Sequence, residues 1–163
     1  MALGPRLFDP DANPAGVVYG VLAMGTLVAA EGSRRQTYPD VLEACLLALA
    51  LYWIAHAYAR HFSQRGGDSD PKGLRSVGHA LAHESSILAG AAVPVVALVL
   101  AWAAGATLGR GVLAAVWVAG AELVVLETLS GVRRKLAPRA LVGEVVTGVA
   151  LGAGVLGVRI VLH

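Results

Sequence analysis

The 163-residue chain is 56% hydrophobic and 15% charged, where soluble domains run at about 45–50% and about 25%. Most of it must therefore face lipid or other helices. Thirteen basic and eleven acidic residues leave a net charge of +2; the bases sit in short connecting segments with no aromatic-interleaved stripe, which gives nucleic-acid binding no support. The single Cys45 rules out a disulfide or a CxxC redox pair within one chain.

Five stretches are apolar and long enough to cross a bilayer, which takes roughly 20 residues. Residues 12 to 30 hold no charge, and neither do residues 85 to 109. Asn13 followed by Pro14 is a helix start, an N-cap acceptor and then a proline whose missing N–H is harmless in the first turn. The first span is expected over about 14–31. It exceeds the roughly 7–15 residues of a signal-peptide core, and acidic Asp9 and Asp11 precede it, so it reads as a retained helix despite the Ala29-Ala30 pair. A second span is expected over about 41–62, with Tyr58 and Phe62 at interfacial depth. A Gly-, Ser- and Asp-rich aqueous loop follows. The third span, about 81–104, contains Pro94, which removes a backbone bond and is expected to kink it. The fourth covers about 111–130, and Pro138 opens the fifth, about 139–162. The expected architecture is an all-α membrane protein, a single bundle of five transmembrane helices.

Lys and Arg favour cytoplasmic loops. The N-terminal segment and the second and fourth loops hold nine of them, against four on the opposite side. This predicts a cytoplasmic N-terminus and an outside C-terminus, with Arg34-Arg35 as the dissenting pair. Five spans contain no internal repeat, so any symmetry is expected to come from a homo-oligomer. Small residues four apart let helix backbones approach closely. Gly16/Gly20, Gly148/Gly152 and Ala150/Gly154 are such pairs, expected to serve internal packing before a dimer seam.

Glu122 lies near the middle of span four, where an ionised acid costs on the order of 3 kcal/mol and should face the protein interior. It either lies on a proton or ion pathway or is a protonated acid holding helices together. Glu127, five residues on, projects about 140° away, so these two do not form one carboxylate pair. It is expected to be solvated or Arg-paired. Tyr52, Trp53 and His56 share a face of span two, with Arg60 a turn beyond. A histidine at that depth switches charge near neutral pH or ligates a metal, and otherwise donates to a carbonyl. His79 and His83 have the i, i+4 spacing of a divalent-metal chelate, which with His56 makes a candidate metal set. His83-Glu84-Ser85-Ser86-Ile87 begins like a zinc-protease HExxH, but Ile87 replaces the second histidine and removes that reading. His56, His83, Glu84, Glu127 and Glu144 fall in the cytoplasmic half of the bundle, with Glu122 deeper, a gradient suited to guiding a proton or cation. The plainer expectation for each of the shallower groups is that it reaches water. Glu31 and Glu43 are expected to pair with Arg34 and Arg35, and Arg159 to snorkel outward.

The runs VYGVLAMGTLVAAE, LYWIAHAYA and HALAHESSILAGAAVP resemble those of small multi-span integral membrane proteins of GC-rich bacteria. The resemblance implies a bacterial inner membrane and supplies no activity. No Walker A loop, GxSxG elbow or intramembrane aspartate is present. The leading expectation is a transporter or channel component for protons or a small cation, using Glu122 with Tyr52, His56 and Glu84 at the mouth. A non-catalytic accessory protein, or a redox protein with His56 and His83 as axial ligands of haem b, stay open beside it.

Overall fold

Helix α1 (Pro14–Arg34) begins where the Asn13-Pro14 pair predicts: the Asn13 side chain accepts from the Gly16 N–H, and proline takes the first helical position. The computed structural model describes residues 13–64, 78 and 81–161, among which there is helix and no strand. The other helices are α2 (Tyr38–Gln64), α3 (Ser85–Ala103), α4 (Leu108–Arg133) and α5 (Pro138–Val161). Each supplies a stretch long and apolar enough to cross a membrane, that of α3 starting at Leu81. The chain is a five-helix membrane bundle. His79 and the side chains of Arg60 and His61 lie outside the described residues.

One departure from expectation concerns α3, which holds Pro94 in its interior as expected: the chain breaks helical geometry at Glu84, whose φ and ψ of −86° and 6° make it the N-cap of α3. The break places Glu84 at the head of a new helix.

Helix α1 touches all four others and has the largest buried share among the five. Lipid tails are as apolar as leucine, so such contacts depend on close packing and polar links. At the α1–α3 crossing, a Cβ on Gly20 would strike the Ile87 carbonyl and one on Gly90 would strike that of Val17. Gly90, the second half of this reciprocal contact, is not among the small-residue pairs that spacing marks. Gly148 and Gly152 pack α5 on α4, with Gly120 opposite Gly152. The pair Ala150 and Gly154 does not follow the expectation: both are exposed and Gly154 meets nothing within 4 Å.

Tyr38 fixes the far end of the bundle. Its ring stacks on Trp102 at 5.8 Å, and its hydroxyl donates to the carbonyls of Ala106 and Thr107, both at 3.1 Å. Glu31 and Arg35 form the expected interfacial ion pair at 3.0 Å. Arg159 does not snorkel outward. It is 7% exposed, donating to the Ser33 hydroxyl at 2.6 Å and to the Ala29 carbonyl at 3.5 Å. These two bonds clamp α5 to α1.

The glycine crossing yields a direct comparison. Gly20→Leu should lower stability by about 1–3 kcal/mol or more, the range for overpacking. Gly154→Ala, made into open space, should be neutral or slightly stabilising because alanine is the better helix former. Thermal unfolding of both variants in one detergent checks the contrast.

Candidate functional site

At the end of the bundle where α1 and α3 begin, the Glu84 carboxyl is 0% exposed. Burying a carboxylate costs several kcal/mol unless charges and hydrogen bonds compensate. Among the described residues, compensation comes from three segments of the chain. Asn13 Nδ2 donates to Glu84 Oε2 at 3.2 Å, while Asn13 Oδ1 caps α1 by accepting from Gly16 at 3.0 Å. One amide therefore ties the start of α1 to the start of α3. His56 Nε2 of α2 lies 3.7 Å from Oε2, and His83 Nδ1 lies 3.6 Å from Oε1. These are ion-pair separations, longer than a hydrogen bond. The positive N-terminal ends of α1 and α3 add a favourable field for the carboxylate.

The two imidazoles connect this acid to the surroundings. Their side chains are 38% and 41% exposed against 1% for Glu84. The carboxyl is thus sealed from water while both imidazoles beside it stay part-exposed. The His56 ring lies 5.9 Å from the rings of both Tyr52 and Tyr19. Trp53 takes a structural role: its Nε1–H donates to the Leu81 carbonyl at 3.2 Å, fixing α2 against the turn that leads into Glu84. Ser86, two residues on, is 2% exposed, and its hydroxyl oxygen has no hydrogen-bond partner.

Of the residues named from sequence, Tyr52, His56, His83 and Glu84 meet. Glu84 departs from the plainer expectation that it simply reaches water. Glu127 and Glu144 belong to a different cluster, between α4 and α5, where the two carboxyls lie close enough to interact and Arg134 Nη1 lies 3.7 Å from Glu144 Oε1. That makes Glu127 part of a carboxylate pair, with Glu144 as its partner. Glu122 sits one and a half turns deeper than Glu127, about 7.5 Å along the axis. It is half-buried, and its Oε2 is shielded and without a hydrogen bond. Among the described residues no three His, Cys, Asp or Glu side chains are grouped to hold a metal ion.

Asn13, Tyr19 and Ser86 join the site without a sequence signal that points to it. Asn13 is legible as a cap, but its second partner lies 71 positions away. Neither a family model nor a curated protein nor a solved structure matches this chain, so function must be argued from this geometry.

The double duty of Asn13 separates its two roles. Asn13→Ala should cost about 0.5–2 kcal/mol, the usual range for losing a cap. Aspartate caps helices as well as asparagine, yet Asn13→Asp sets a second carboxylate beside Glu84 and should be at least as destabilising at pH 7. Adding Glu84→Gln to the Asn13→Asp variant should recover most of its deficit. A thermal-unfolding double-mutant cycle reads the coupling directly.

Proposed function

We propose that this chain is a cytoplasmic-membrane transporter or channel component that passes protons across the bilayer, with the His56–Glu84 pair as its mouth and Glu122 as its mid-membrane station. The observation that carries the reading is a fully buried carboxyl flanked by two half-exposed imidazoles. Intramembrane acids and histidines mark proton and ion pathways, and imidazole changes charge near neutral pH. In the proposal His56 takes a proton from the aqueous side and holds it beside Glu84. Tyr52 and Tyr19 orient the ring. Glu122, with an unbonded oxygen deeper in the bundle, is the next acceptor. The site's end of the bundle faces the cytoplasm, on the nine-to-four distribution of basic residues. A homo-oligomer is the proposed unit, because five unlike helices offer no internal symmetry.

A second reading has its own observation. The Asn13–Glu84 and Arg159–Ser33 bonds each join two helices, so the buried polar groups can also be understood as helix glue in an accessory protein.

Reconstituted vesicles under an imposed pH gradient separate the two. The transport reading expects wild-type proton flux above that of protein-free vesicles, lost in well-folded Glu84→Gln and Glu122→Gln and reduced in His56→Ala. Glutamine keeps the volume and hydrogen-bonding capacity of the acid but exchanges no proton. Wild-type vesicles no leakier than empty ones, or variants that conduct like wild type, would leave the accessory reading standing.

A further inference from the structure

A groove of about 590 Å³ opens between the start of α1 and the last turns of α4, a volume within the roughly 300–1,000 Å³ of small-molecule sites. Its two ends differ in chemistry. Val17 and Val18 of α1 and Leu126 and Leu129 of α4 form apolar walls, while Arg133 and Arg134 line it at the end of α4. Leu126 and Arg133 are seven residues apart on one helix, about 10 Å along its axis. The gradient from apolar to cationic therefore runs along the helix toward the membrane surface. A bound lipid has the same polarity gradient, with its acyl chain deep and its phosphate at the interface.

We propose that this groove binds an anionic phospholipid, its acyl chain against Val17, Val18, Leu126 and Leu129 and its phosphate at Arg133 and Arg134. Three features support the choice. Guanidinium groups are planar multi-donor forks suited to phosphate oxygens. Lys135 and Arg139 follow within six residues of Arg133, so the α4–α5 turn concentrates positive charge at the groove mouth, and basic pockets between membrane helices are a recognised setting for anionic head groups. Finally, the acid in the wall, Glu127, has Glu144 as its neighbour, and Arg134 lies 3.7 Å from Glu144. That arrangement draws the carboxylates toward each other and toward Arg134. Ser130, between the apolar and cationic parts, supplies a further hydroxyl to the head group.

The test uses the full-length protein in detergent, delipidated and then titrated with phosphatidylglycerol or, in parallel, phosphatidylcholine. Retained lipid and oligomeric mass are both read by native mass spectrometry. Phosphatidylglycerol should bind in preference. The double variant Arg133→Gln/Arg134→Gln should weaken it by about thirtyfold, about fivefold for each cation. Arg35→Gln, at the opposite end of the bundle, should leave it unchanged. Val18→Trp fills the apolar wall without altering charge and should reduce binding of the same lipid, which keeps the test decisive if the arginine variant folds poorly. Equal retention of both lipids, or retention unaffected by either groove variant, overturns the proposal. So does a shift in oligomeric mass in the groove variants with lipid retention unchanged, since that assigns the groove to a second copy of the chain.

Discussion

The close crossing of α1 and α3 governs the rest of the molecule. Gly20 and Gly90 bring two backbones to a distance that no larger residue permits, each against a carbonyl of the other helix. This approach sets Asn13 within hydrogen-bonding reach of Glu84 and buries the carboxyl completely. In a bilayer no hydrophobic force gathers helices together, so small-residue contact and polar linkage must act jointly. Here they act at the same crossing.

The two ends of the bundle solve the problem of buried charge in opposite ways. At one end a carboxylate is held by an amide, two histidines and two helix N-termini. At the other a guanidinium is held by a serine hydroxyl and a backbone carbonyl of α1. The guanidinium remains charged throughout the physiological range, and its role is to fix α5. Glu84 is different in kind, because the histidines beside it carry charge only when protonated.

Much of the fold is legible in the sequence because it rests on local pattern. Charge-free runs mark the spans, Asn13-Pro14 and Pro138 mark helix starts, and the helix limits fall within a few residues of those expected. Gly16, Gly20, Gly148 and Gly152 stand at internal contacts, as their spacing predicts. What escapes sequence reading depends on residues far apart in the chain. Arg159 reads as an outward-reaching cation because it lies near a helix end; its partner Ser33 is 126 positions away. Helical angle separates Glu127 from Glu122, but its link to Glu144 depends on how α4 meets α5. Depth alone groups His56, His83 and Glu84, whereas their convergence is accompanied by a break in helix geometry at residue 84, for which the sequence holds no proline or glycine signal.

The central claim is that Glu84 and His56 act as one proton-exchanging pair. A pH-step infrared difference spectrum of the protein in lipid, recorded across the neutral range, tests it most directly. The account predicts that imidazole ring bands and a carboxyl band change together, and that Glu84→Gln removes the carboxyl component and alters the imidazole component. Histidine bands that change alone in the wild type, and identically in Glu84→Gln, would contradict it.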